Sequence, residues 1–175
     1  MPGARGESAW VRGAQAGSAS DLEALFRAHW PRAHRAAYLV VRDAAAAEDI
    51  AQEAFLAAIR HLDRFDRRRP FGPWLHRIVV NRAIDWARAR SLRGEVGGEV
   101  LAAAPSPSGN PGHGLSDDVL AALATLPPEQ RGVIVLRHLL EYTPGEIARL
   151  LDLPRGTVNS RLRRGLDDLS ERLER

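Results

Sequence analysis

The chain has 175 residues, room for one medium domain or two small ones. No apolar run approaches the roughly 20 residues that span a membrane, and MPGARGESAWVRGAQAGSAS at the start has no apolar centre and so is not a secretory signal. Cysteine is absent, which excludes disulfides, thiolate metal sites and thiol redox chemistry and suits a cytoplasmic protein.

Lysine is absent too, so all 25 basic side chains are arginine, and the pI lies near 10.4 at a formal charge of only +3. The distribution of charge says more than its sum. Residues 43–59 carry four acids and no base, and residues 60–93 carry ten arginines against three aspartates, a balance of +7. Residues 94–130 carry five acids and no base, and residues 149–164 return to +4. Two basic blocks set apart by acidic ones suit two contacts with a polyanion.

Residues 1–20, rich in Gly, Ala and Ser with little periodicity, read as a disordered tail in which Trp10 is a stray residue. Asp21 is a plausible N-cap for a helix whose inner face is Leu22, Leu25, Phe26, His29, Ala33, Ala37 and Val41, with Pro31 bending or interrupting it. His29 and His34 have no cysteine or third ligand nearby, which makes them packing or surface residues rather than a metal pair. The next helix, about 45–62, buries Ile50, Ala51, Ala54, Phe55, Ala58 and Leu62. Its other stripe is Asp49, Gln52, Glu53, Leu56 and Arg60. A leucine within an acidic, amide-bearing stripe suits docking of a basic protein partner; a solvated face with one stray leucine is the alternative.

DRFDRRRPFG at 63–72 is an exposed basic loop with two phenylalanines, a mix suited to unpaired nucleic acid. Phe65 and Phe71 would equally serve to anchor the loop to the core. The helix PWLHRIVVNRAIDWARAR, 73–90, starts with a proline tolerated in a first turn. It is apolar on most of its circumference (Leu75, Val79, Ala83 and Trp86; Val80, Ile84 and Ala87) and leaves one polar strip of Arg77, Asn81, Asp85 and Arg88. The strip is either a nucleic-acid contact or a solvated face with an internal ion pair.

AEDIAQEAF (47–55) followed by PFGPWLHRIVVNRAIDWARAR (70–90) resembles region 2 of bacterial RNA polymerase sigma factors of the extracytoplasmic-function class. The matching residues are Glu48, Asp49, Gln52, Glu53 and Phe55, then Trp74, Leu75, Ile78, Asn81, Asp85 and Arg88. The resemblance implies that the first helix docks on the clamp helices of the polymerase core through Asp49, Gln52, Glu53 and Leu56. It also implies that the second helix and its preceding loop recognise and open the −10 element, with Arg67, Arg68, Arg69, Phe71, Arg77, Asn81 and Arg88 as contacts.

Residues 94–114, dominated by Gly, Pro and Ser, read as a flexible linker. GNPGHG within it is not a phosphate loop, since no strand precedes it and no lysine follows. A helix opens near Ser116 with Val119, Leu120, Leu123 and Leu126 and breaks at Pro127-Pro128; a second carries Val133, Ile134, Leu136, Arg137 and Leu140. Thr143, Pro144 and Glu146 form a capping box for a short helix. A break at Asp152-Leu153-Pro154 then precedes a helix from Arg155 to about Leu173. In that last helix Val158, Leu162, Gly165, Leu166 and Leu169 face inward. Thr157, Ser160, Arg163 and Arg164 face out with Asn159 at the edge, and acids appear only in later turns. This pattern is a helix-turn-helix, with an ordinary helical hairpin as the alternative.

Residues 126–169 also resemble region 4 of the same sigma class. The match runs through Leu126, Pro127 and Arg131; Glu146, Ile147 and Ala148; and Gly156 to Leu162 with Arg164. Gly165 departs from the alanine common in the family, worth up to about 1 kcal/mol of helix propensity. The resemblance implies binding of the −35 element through Arg155, Thr157, Asn159, Ser160, Arg163 and Arg164, and of the polymerase flap. No anti-sigma-like zinc motif is present, so regulation would come from a separate anti-sigma factor or from expression level.

The expected fold is all-α: two small helical domains joined by a flexible linker, the C-terminal one a helix-turn-helix. The expected divisions are a tail at 1–20, region 2 at 21–93, a linker at 94–114 and region 4 at 115–175. The expected partners are RNA polymerase core and promoter DNA. No nucleophile elbow, phosphate loop, metal cluster or converging acid pair suggests an enzyme, a metal or a cofactor. A stand-alone helix-turn-helix repressor or activator would account for 115–173 but would leave the face around Gln52 and Leu56 without a partner.

Overall fold

A computed structural model describes residues 6–94 and 111–175. The described residues are helical with no strand, and the helices follow from local signals. α2 (Ala19–Val41) starts at Ser18, whose hydroxyl accepts the Asp21 amide at 3.3 Å. Asp21 is therefore not the cap but a first-turn carboxylate, where the helix dipole favours it. α2 is not interrupted at Pro31, which lies on its exposed side, and it ends at Arg42 in the left-handed region. α3 (Ala44–Arg60) is capped by Asp43, which accepts the Ala46 amide at 2.9 Å. A 3-10 turn at Leu62–Arg64 leads to the loop before α4 (Phe71–Leu92). α2, α3 and α4 pack around Leu25, Ala37, Ala47, Ala54, Leu75 and Val79.

Residues 6–20 are not a tail. α1 (Glu7–Gln15) lies against α2, with Val11 buried and Trp10 and Ala14 packed on the core. Nine residues carry too few apolar side chains for a periodic signal, and a helix this short is held by tertiary packing rather than propensity. Residues 1–5 lie outside the described residues.

The second half holds α5 (Asp117–Thr125), capped by Ser116, and α6 (Pro128–Ile134), which runs into a π turn at Val135–Leu139. α7 (Pro144–Leu151) carries the capping box, with Glu146 accepting the Thr143 amide at 2.7 Å and Thr143 accepting the Glu146 amide at 3.3 Å. Asp152 turns the chain at φ 53°, and α8 (Arg155–Leu173) follows. Leu166, placed inward by its spacing, is exposed instead. Gly165 is a close approach: a Cβ there would come 2.7 Å from Ile134 Cδ1, so α8 lies tightly on α6.

The two helical units share a core. α6 packs against α4, and a Cβ on Gly132 would come 2.6 Å from Ile84 Cδ1 and 3.6 Å from Val80 Cγ1. Across the same seam His76 Nδ1 and the Tyr142 hydroxyl are 2.7 Å apart, and Arg32 donates to the Leu139 carbonyl at 3.1 Å. Most of the segment read as a linker, 95–110, lies outside the described residues.

Candidate nucleic-acid interface

α3 turns Asp49, Gln52, Glu53 and Leu56 outward while Ile50, Ala54 and Phe55 enter the core. Leu56 is 51% exposed, and Ile59 and Phe26 extend the apolar patch beside it. Gln52 donates to Glu48 at 3.3 Å, and Glu53 pairs with Arg82 of α4 at 3.1 Å. An exposed pair of that kind is worth little and is easily exchanged for a partner's charge. Beside this face, Ala19, Leu22, Phe26, Phe55 and Ile59 line an apolar groove of about 280 Å³.

The loop before α4 projects Arg67, Arg68 and Arg69 into solvent. Asp66 holds Arg68 in a fork, accepting its Nε at 3.0 Å and Nη2 at 3.2 Å. The hydrogen bonds from Arg68 lower the Asp66 pKa. Phe71, expected to contact the −10 element, lies in the core rather than on the loop surface. It is 3% exposed and packed against His29, Phe65 and Trp74, so no ring face is open for stacking, and the anchoring alternative is the one the packing realises. Phe65 is buried in the same cluster.

On α4 the strip is Arg77, Asp85 and Arg88, exposed, with Asn81 half-buried. Arg88 lies 3.9 Å from Asp85 and pairs with Glu129 of α6 across the seam. Partial burial is the largest single influence on Glu129 and raises its pKa, but the Arg88 hydrogen bond, a backbone hydrogen bond and the charges of Arg88 and Arg161 together outweigh it, so the net shift is downward. Arg77 and Arg69 look across a groove of about 770 Å³ toward Tyr142 and Arg149. One end of the strip thus shares a groove with α7, and at the other end Arg88 is held by an acid of α6.

On α8, Arg155, Asn159, Arg163 and Arg164 are exposed, and Thr157 and Ser160 are half-buried at the edges of that face. Arg161 is half-buried beside Glu129, and Asp167, Asp168 and Glu171 lie further along. A first half of basic and polar side chains with acids kept to the second half suits insertion of the helix's N-terminal turns into a major groove.

Sequence reasoning missed four contacts. Glu7 and Gln15 sit in what read as a tail and carry no motif. Arg32 and Tyr142 meet the opposite unit, and nothing local in a sequence signals such a contact.

The geometry can be set beside known proteins. Residues 25–93 match the model of Sigma-70 region 2, and residues 116–169 match Sigma-70, region 4. The chain belongs to the extracytoplasmic-function (ECF) sigma factors. It is 36% identical over 140 residues to the ECF RNA polymerase sigma factor SigW of Bacillus subtilis, covering 73% of this chain and 75% of that protein. It is 31% identical over 157 residues to the RNA polymerase sigma-E factor of Streptomyces coelicolor, covering 90% and 88%. A solved structure of CnrH in complex with the cytosolic domain of CnrY superposes with a TM-score of 0.70 at 27% identity, covering 96% of this chain and 97% of that one. As a sigma factor the chain is a transcription initiation factor, and the match over 25–93 removes the ground for a stand-alone helix-turn-helix regulator. Among the described residues no helix is long and apolar enough to cross a membrane.

Proposed function

We propose that this sigma factor divides core docking and promoter recognition among three exposed faces, and that the separation of charge among them carries the reading. The α3 face of Asp49, Gln52, Glu53 and Leu56, acidic around an apolar centre, docks on the polymerase core. Phe26 and Ile59 extend that contact. Acids on this face would repel DNA phosphates, and a basic protein surface would welcome them.

The loop arginines 67–69 and the strip Arg77, Asn81 and Arg88 take the opened −10 strand. Guanidinium groups hold phosphates, and the asparagine amide can pair with a base edge. Arg88 must exchange Glu129 for DNA in doing so. The α8 face of Arg155, Thr157, Asn159, Ser160, Arg163 and Arg164 reads the −35 duplex, where arginine can pair with guanine and asparagine with adenine. The chain contributes no catalytic group, acts in the cytoplasm with the polymerase, and takes a separate anti-sigma factor as its regulator. The structural relative bound to a cytosolic domain of another protein supports that last part.

The docking face is tested by Glu53→Arg. Glu53 is exposed and only its pair with Arg82 is lost, so thermal stability should change by less than about 1 kcal/mol. Reversing a charge at the interface should weaken association with core at least tenfold, about 1.4 kcal/mol. Core affinity equal to that of the wild type would remove α3 as the docking face.

A further inference from the structure

We propose that α1 is a brace for the basic loop, with its first and last residues, Glu7 and Gln15, as positioning residues for promoter opening. The inference rests on the reading of that loop as the −10 contact and adds to it an element outside the matched region 2. The two feet of the loop are fixed by the two ends of one nine-residue helix. At one foot, the Gln15 side-chain amide donates to the Leu62 carbonyl at 2.8 Å and to the Phe65 carbonyl at 3.0 Å. At the other, Glu7 accepts the Phe71 backbone N–H at 3.1 Å through one carboxylate oxygen and faces His29 Nε2 at 2.6 Å through the other.

At the first foot the Leu62 carbonyl also accepts the Phe65 amide at 3.1 Å, so Gln15 adds to a local bond there; the second foot has no local substitute. Phe71 opens α4, whose N-cap position is Pro70 with no capping side chain, and the first turn of α4 holds no acid. Its leading amides would lack both an acceptor and a negative charge. Glu7 supplies both from another helix. Between the feet, residues 67–70 are exposed and carry the three arginines, while Phe65 and Phe71 are buried at either end. The exposed arch is thus short and held at both sides. Its ordering is completed on folding, so capturing a strand loses less conformational freedom than it would with a slack loop. Glu7 itself would repel phosphates, so its part is to hold the loop and not to touch DNA.

The test uses full-length chain assembled with polymerase core on a duplex promoter. The paired variant Glu7→Met with Gln15→Met removes the polar contacts and keeps the apolar face of Trp10 and Val11. Glu7→Gln is the rescue variant, because a side-chain amide can still accept from Phe71 and donate to His29. Permanganate reactivity of the −10 thymines should appear about tenfold more slowly with the paired variant, as displacement of a positioned group entails. Glu7→Gln should stay within about twofold of wild type on the same argument. A pre-opened template should recover the activity, and core affinity should be unchanged. Hydrogen exchange of the Phe71 amide should quicken in the paired variant and not in Glu7→Gln.

An alanine triplet at Arg67, Arg68 and Arg69 separates the two claims. If the triplet fails to open DNA and the paired variant opens it normally, the brace is wrong and the loop reading stands. If the triplet opens DNA normally, the loop reading fails and the brace with it. Should the paired variant not fold, Gln15→Met alone decides: opening at the wild-type rate overturns the brace, and slowed opening with normal core affinity supports it.

Discussion

His76 shows how much one side chain carries here. It is 6% exposed at the seam between α4 and the turn before α7, with Nδ1 on the Tyr142 hydroxyl and no hydrogen-bond partner for Nε2. Burial, and after it the positive potential of His29 and Arg32, lowers its pKa to about 4. The folded molecule therefore keeps His76 neutral, and the unfolded chain takes up its proton below about pH 6.5. His76 favours folding fully above pH 6.5, and that contribution is lost as pH falls from 6.5 toward 4, to a total of roughly 3 kcal/mol. His34, lowered mainly by burial against the opposing effect of Glu48, adds to the same slope. Melting curves between pH 7.5 and 4.5 should show His76→Gln losing less stability with acid than wild type; parallel curves would mean that His76 already titrates normally in the fold.

The same scale governs base reading. Arg164 is exposed on α8, so Arg164→Ala should leave stability within about 0.5 kcal/mol. Loss of a base-reading arginine should cost about 1–3 kcal/mol at a single −35 base pair and relax the preference there. Transcription measured on a set of −35 point variants distinguishes this from a phosphate contact, whose loss would depress every promoter alike.

At the scale of elements, motifs with a local mechanism were readable. The Thr143–Glu146 capping box, the break at Asp152–Pro154 and the outward stripe of α3 depend on neighbours within one or two turns, and each stands where its residues put it. α1 was not readable, because its stability comes from Val11 and Trp10 meeting α2 and from Glu7 reaching a backbone amide 64 residues away. The burial of Phe71 was not readable for a related reason. An aromatic in a basic loop serves equally as a stacking platform or as an anchor, and only the surrounding rings decide. Gly165 looked like a small loss of helix propensity, but α8 lies so close to α6 there that its missing Cβ is what the packing uses.

Across the whole molecule, two units separated by a Gly- and Pro-rich segment turn out to share a seam. Nothing in either unit's periodicity announces it, since Val80 and Ile84 serve as core residues whichever surface covers them. The fit is narrow at Gly132, where the nearest atoms belong to the other unit. Gly132→Leu should therefore part the units without melting either. Helical content should hold, while small-angle scattering should give a radius of gyration above the roughly 16 Å of a compact chain this long. An unchanged radius would show that the seam absorbs the added side chain.

The most direct measurement of the sigma reading is selection of promoter DNA from a random-sequence duplex pool, by this chain alone and by the chain assembled with polymerase core. The assembled complex should retain sequences with two preferred blocks at a constant spacing, one for α8 and one for the loop and α4 strip. The free chain should enrich neither block. Enrichment of a single block by the free chain, unchanged by core, would contradict it.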